Sequence, residues 1–320
     1  MEPSATLGVR QQMLVASRVA ALHRRALLQL PNVLQVTVGV RLRDGLRTTE
    51  PCVTVLVERK WSDRRRRVGA IPGSLPARAR VRGHMRAVNV PVDVVQRVRG
   101  RLNVGTAGDG IQIRHPAWTG EHPPTGTVAC VVRERGRPDA PPRLLSCHHV
   151  LALTSSWRMP AFAAFADYRV QLRGRSRVEG ALALLPGNFR RMDAALASLS
   201  DTSAWSNDPR LTGILPQLSA ATVPFDYRLL SANTGQEVPA HFVRFESDYS
   251  QGGYEASSVV CRFRRVLVSE CATSPGDSGA PLVSARGKLI AMHFAGEGRF
   301  SFALPIEDVL DAFSPTQVLA

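Results

Sequence analysis

The sequence predicts a mainly β protein that ends in a short helix and is preceded by a small, basic α/β domain. Three observations carry this. From residue 105 onward, short runs of β-forming residues alternate with glycine and proline, the pattern of many brief strands joined by turns. The first hundred residues open instead on a helix-spaced stretch followed by alternating runs. The charge is also lopsided: residues 1–104 hold 20 Arg and Lys against 6 Asp and Glu, whereas residues 105–320 hold 21 against 20. Such an asymmetry places a boundary at 104/105 and gives the two parts different partners.

In the first part, Leu14, Val15, Val19, Leu22, Leu27, Leu28 and Leu30 recur at helical spacing and predict an amphipathic helix that stops before Pro31. Val33–Leu42 and Pro51–Val57 alternate as strands do, and Arg43-Asp44-Gly45-Leu46 between them is a hairpin signal. A further strand is predicted over Val88–Val95. Arg64 to Arg67, with Arg78, Arg80, Arg82 and Arg86, form the conspicuous basic feature. It suits an anionic partner, nucleic acid included, or a solvated arginine-rich loop; no aromatic interleaving favours the former.

In the second part, strands are predicted over Gly126–Val132, Arg143–Ser146, Tyr168–Leu172, Ala181–Leu185, Ala194–Leu199, Val259–Val268 and Leu289–Phe294. The pattern suits a barrel or a sandwich. Gly105–Gly110 reads as a linker-like entry, without the strand-loop-helix context of a nucleotide loop. After Pro305, Ile306, Val309, Leu310 and Phe313 share one face of a closing helix. No run of 18 uncharged apolar residues offers a membrane span, and Met1–Gly8 lacks the basic start of a secretory signal. Five cysteines without a CxxC pair argue against a disulfide framework or a zinc site, so free thiols and a cytoplasmic location are expected. No metal and no cofactor are expected.

Three stretches carry chemistry. Gly276-Asp277-Ser278-Gly279 sets a hydroxyl between two glycines, just before an apolar strand. Such a turn can aim the Gly276 and Ser278 amides at a developing oxyanion, or can be an ordinary surface turn. Ser146-Cys147-His148-His149 ends a strand on two imidazoles, of which only one can face the serine, since neighbouring side chains diverge. Asp193, at the head of an apolar run of small residues, can receive an imidazole N–H there or simply start or cap a strand.

With these stretches in hand, residues 105–320 resemble the trypsin-like serine peptidases. Ser146-Cys-His-His149, Asp193-Ala-Ala-Leu196 and Gly276-Asp-Ser-Gly-Ala-Pro281 look like the family's three landmarks, in the order His, Asp, Ser. Val36-Thr-Val-Gly-Val40 and Val55-Leu-Val-Glu-Arg-Lys60 look like a small domain that precedes the peptidase in its non-secreted bacterial and plant branch. The resemblance implies a chymotrypsin-like double β-barrel and a serine endopeptidase acting on protein or peptide substrates. It implies Ser278 as nucleophile, His149 as base, Asp193 as its orienting acid, and Gly276 and Ser278 as oxyanion donors. Ala272 would lie at the base of the specificity pocket, with Phe294, Ala295 and Gly296 lining it and pairing with an extended substrate. Two departures stand out. Ala280 replaces a second glycine, and no Ile-Val-Gly-Gly start is visible near residue 105, so Asp277 needs another partner than a freshly cut N-terminus. The alternatives are a catalytically silent scaffold of the same fold, or a peptidase targeted by its basic N-terminal part.

Overall fold

The computed structural model describes residues 7–43, 46–60, 71–81, 84–97, 101–102, 111–114, 125–151, 169–172, 180–184, 191–199, 207–208, 210–232, 234–251, 261–314 and 316–319. The chain divides into two compact units. The first is Met1–Val98 with Ser219–Val223 and Phe242–Ser247; the second holds Arg99–Leu218, Pro224–His241 and Asp248–Ala320.

The first unit is one helix on a sheet. The helix spans Val9–Leu28, beginning five residues before the expected start. It buries Met13, Ala16, Val19, Ala20 and Leu27, while Leu14 and Leu22 are 48% and 77% exposed. Of the residues expected on the apolar face, Val19 and Leu27 are buried and Leu14 and Leu22 are not; Met13, Ala16 and Ala20 complete the buried face instead. Beneath it, Val33–Arg43 pairs antiparallel with Leu46–Val57, with Arg43 opposite Leu46. The expected turn residues Asp44 and Gly45 lie outside the described residues.

Leu46–Val57 then pairs in parallel with His84–Gln96, and His84–Gln96 antiparallel with Ser74–Val81. On the other side, Gly39 of Val33–Arg43 sits opposite Arg244 of Glu237–Gln251. No strand was expected over Ser74–Val81, because its arginines mask a strand period. Leu75 and Ala79 face inward, and Arg78 and Arg80 alternate outward.

The second unit is mainly β. One antiparallel sheet runs in the order Gln317–Leu319, Cys130–Glu134, Arg143–Ser146, Ala195–Leu199, Gly180–Leu184, Arg169–Leu172, Ile111–Arg114 and Thr125–Gly126. The other strands gather around Lys288–Glu297, which pairs with Pro281–Ser284 and Phe300–Pro305; Phe300–Pro305 in turn pairs with Cys261–Glu270. The expected strand over Gly126–Val132 is interrupted: Thr125–Gly126 and Cys130–Glu134 are separate, and Thr127 between them spends its backbone and side chain elsewhere.

The core behind Lys288–Glu297 is aromatic. Tyr249 stacks on Phe263 at 6.4 Å between ring centres, and Phe294 meets Phe263 edge-on at 4.9 Å. The closing helix Ile306–Asp311 buries Ile306, Val309 and Leu310, with Phe313 buried just beyond it. Its Glu307 and Asp308 clasp Arg265 of Cys261–Glu270 at 2.7 and 3.0 Å. All five cysteines are free and buried, and among the described residues no helix is long and apolar enough to cross a membrane.

Gly39 is where a side chain is least tolerable in the first unit. A Cβ built there would lie 2.3 Å from the Val243 carbonyl oxygen and 2.9 Å from the Arg244 Cβ. Gly39→Val is expected to cost about 1–3 kcal/mol or more by overpacking, read as a lower denaturation midpoint in urea.

Candidate active site

The site is assembled on the edge of Lys288–Glu297. Pro281–Ser284 pairs with its first half, up to Pro281 opposite Met292. Past that point the chain is too sharply turned to continue a ladder, and the turn itself takes over. Gly276 and Gly279 sit at φ of 100° and 93°, in the left-handed region that glycine occupies without strain. Gly279 donates its N–H to the His293 carbonyl at 2.8 Å, and the Ser278 hydroxyl stands 3.4 Å from the Phe294 carbonyl, one residue further along. A Cβ on Gly279 would fall 2.0 Å from the Thr127 carbonyl oxygen and 2.4 Å from the Ser146 Oγ, so the glycine is required by space as well as by conformation.

The same carbonyl of His293 accepts the Cys147 thiol at 3.2 Å. The segment leading to His149 and the residue after Ser278 therefore meet on one acceptor. Thr127 supplies further ties: its N–H donates to the Ser278 carbonyl at 2.7 Å, its hydroxyl to the Gly276 carbonyl at 2.9 Å, and its carbonyl accepts the Ser146 hydroxyl at 2.6 Å.

His149 lies in the short helix His148–Leu151 that follows Arg143–Ser146. Asp193 precedes Ala195–Leu199, the strand paired with Arg143–Ser146, and this brings the two residues together. Asp193 Oδ2 is 2.6 Å from His149 Nδ1, and Asp193 Oδ1 accepts the His149 backbone N–H at 3.0 Å. Burial alone would raise the Asp193 pKa. The charge and the hydrogen bonds of His149 outweigh it and hold the carboxyl below the usual carboxylate range.

His148 is buried beside that pairing. Its burial drives its pKa down to about 3, and the same cause takes His293, whose Nδ1 is 2.8 Å from the Ser301 hydroxyl, to about 3. Both imidazoles are neutral at physiological pH.

Cys147, His149 and Asp193 bring a thiol, an imidazole and a carboxylate within 4.8 Å of one another. The donor chemistry disfavours a metal there. Burial holds the Cys147 thiol well above its ordinary pKa, so the thiolate a metal would need is costly, and the carboxylate is committed to His149.

The sequence left Asp277 without a partner, and the structure supplies two. Asp277 Oδ1 accepts the Ser231 hydroxyl at 2.6 Å, and Oδ2 accepts the Ser274 backbone N–H at 2.8 Å. Ser231, Thr127 and His293 lie in no motif, and Cys147, although it stands within Ser146-Cys-His-His149, had no role assigned to it; each acts from a different element. Of the expected pocket residues, Ala272 is exposed, while Phe294, Ala295 and Gly296 are buried, with the Phe294 ring in the aromatic core and its backbone toward Ser278. Ser278 and His149 are themselves almost fully excluded from solvent, at 0% and 2%. In the first unit, Arg78 and Arg80 leave one face of their hairpin, whereas Arg86 sits opposite Ala79 and so shares the other; Arg64 to Arg67 and Arg82 lie outside the described residues.

Two outcomes are expected here. Ser231→Ala leaves a buried carboxylate oxygen without its donor and is expected to cost about 1–3 kcal/mol, read by denaturant melts. Acidification is expected to destabilise the fold between about pH 6.5 and pH 3, because the unfolded chain protonates His148 and His293 where the native chain does not. The loss approaches about 1.4 kcal/mol per pH unit for each histidine. It is read as a falling thermal midpoint whose slope is shallower in His148→Gln.

No family model and no curated protein matches the chain. Among solved structures it is similar to the active form of the Rv3671c protease from M. tuberculosis, with 17% identity, 66% of this chain and 82% of that one covered, and a TM-score of 0.44. It is also similar to Thermobifida fusca protease A, with 12% identity, 67% and 99% covered and a TM-score of 0.40, and to Cellulomonas bogoriensis chymotrypsin, with 13% identity, 67% and 97% covered and a TM-score of 0.40.

Proposed function

We propose that the chain is a serine endopeptidase that hydrolyses peptide bonds through an acyl-enzyme on Ser278. The observation that carries this is the buried Asp193–His149 pair, together with the His293 carbonyl on which Cys147, of the His149 segment, and Gly279, of the turn that bears Ser278, both meet.

A carboxylate on Nδ1 fixes the tautomer that leaves Nε2 able to take a proton, and stabilises the imidazolium that results. His149 then removes the Ser278 proton as Oγ attacks a carbonyl, and returns it to the departing amine. The Gly276 and Ser278 amides serve the oxyanion; among the described residues no partner meets the Gly276 N–H, in keeping with that role. Water, activated by the same imidazole, releases the acyl group. Because Asp277 is already satisfied by Ser231, the turn requires no cut N-terminus to hold its shape. Strand pairing along Phe294–Gly296 selects an extended peptide, and the small, uncharged Ala272 does not call for a basic side chain.

Ser278→Ala is expected to lower turnover of a peptide ester by about 10⁶ and to abolish labelling by a fluorophosphonate, and Asp193→Asn to lower turnover by about 10⁴ through the wrong tautomer. Equal hydrolysis by Ser278→Ala and the unaltered chain would sink the proposal. Failure of well-folded protein to label at Ser278 would leave the fold as a binding scaffold.

A further inference from the structure

The helix Val9–Leu28 packs on its sheet through one side, and its other side is not the uniformly polar one that such a helix ordinarily turns to water. With about 3.6 residues per turn, the buried Met13, Ala16, Val19, Ala20 and Leu27 cluster toward the sheet. Leu14, Arg18, Leu22 and Arg25 fall directly opposite them, with Arg10 and Leu28 along one flank. Arg10, Arg18 and Arg25 are exposed, and so are Leu14 at 48%, Leu22 at 77% and Leu28 at 40%. At a rise of about 1.5 Å per residue, the three leucines are spread over about 21 Å of the helix, with arginines between them.

Nothing within the helix balances this charge. Val9–Leu28 contains Arg10, Arg18, Arg24 and Arg25 and no Asp or Glu, and among the described residues none of these arginines forms an ion pair. The part of the chain that carries the helix has the same sign, with 20 Arg and Lys against 6 Asp and Glu over residues 1–104. The partner that complements this side is therefore anionic.

The leucines decide which anionic partner fits. A nucleic-acid backbone supplies phosphates to the arginines but covers no apolar side chain that stands in water as Leu22 does. A helix lying on a sheet presents a convex ridge, so a folded protein would need a long groove to receive it. The surface of an anionic bilayer meets both needs at once: headgroup phosphates and carboxylates for the guanidinium groups, and the acyl boundary for the leucines.

We infer that the outer side of Val9–Leu28 is a docking surface for an anionic lipid membrane. The helix lies flat on the bilayer, with Leu14, Leu22 and Leu28 entering the headgroup layer and Arg10, Arg18 and Arg25 among the phosphates. Its other side stays on the sheet, so docking requires no unfolding. Only three leucines reach the lipid, which makes the contact peripheral, reversible and dependent on both lipid charge and salt.

The test sediments the full chain with vesicles of phosphatidylcholine alone, and with vesicles of which about one third is phosphatidylserine, in about 0.05 M and about 0.5 M NaCl. Leu14→Ser/Leu22→Ser and Arg18→Gln/Arg25→Gln are compared, with their urea midpoints measured in parallel; both pairs face water, so the midpoints are expected to hold. The expected result is partition onto the mixed vesicles at low salt, about tenfold or more above that onto phosphatidylcholine, and a fall of about tenfold or more at high salt. The arginine variant loses about tenfold or more, and the leucine variant about fivefold, while Ser278→Ala binds as the unaltered chain does. Absence of partition at low salt overturns the inference, as does equal partition onto the two kinds of vesicle. Partition that is indifferent to the leucines also overturns it, since charge alone then accounts for the binding. A short DNA duplex that strips the chain from the mixed vesicles at equal phosphate, and that binds the leucine variant as tightly, makes the surface one for nucleic acid and overturns the membrane.

Discussion

The carbonyl of His293 is the point on which the site is hung. It receives Gly279 from the serine turn and Cys147 from the histidine segment, two elements far apart in sequence. An acceptor with two lone pairs can serve both, and in a buried place neither donor can exchange it for water without leaving the other strained. Thr127 repeats the device from the opposite side, touching Gly276, Ser278 and Ser146. The broken strand at Thr127 and the glycine at 279 follow from this arrangement. A continuous ladder would use up the groups that hold the turn, and any larger residue would push Thr127 and Ser146 away.

Burial sets the electrostatics of the same region. Three histidines crowd there, and the charge each can carry differs with its partner. Only His149 has a carboxylate on Nδ1; His148 and His293 are driven toward neutrality by the loss of water around them. A second imidazolium beside His149 would compete for Asp193 and weaken the pairing, so neutral neighbours keep the carboxylate committed to one ring.

Much of this was legible in the sequence, and the reasons are specific. Several of the second unit's strands show because glycine and proline punctuate apolar runs, and the closing helix because Ile306, Val309, Leu310 and Phe313 fall on one face; Asp226–Leu230, Glu237–Gln251 and Phe300–Pro305 were not anticipated. The juxtaposition of His149 with Asp193 was implied by the resemblance of their two segments to a family's landmarks; the residues alone left His148 and His149 open. What was hidden was hidden by chemistry that has no period. Ser74–Val81 shows no strand period because arginine occupies its outward positions, and the helix face was misread in part because Met13, Ala16 and Ala20, not Leu14 and Leu22, complete it. Ser231, Thr127 and Cys147 are common residues whose roles exist only once distant strands are paired. The strand at Arg101–Leu102, two residues long and paired with Lys288–Glu297, has no pattern to detect.

The bond from Ser231 to Asp277 has a consequence for how the turn meets changing solution conditions. An α-ammonium group in that position would lose its proton as pH rises through about 8, and with it the charge that holds the carboxylate. A serine hydroxyl has no such titration in the accessible range. A turn held by a neutral, permanent donor carries no alkaline limit of its own, and its shape is independent of where the chain happens to begin.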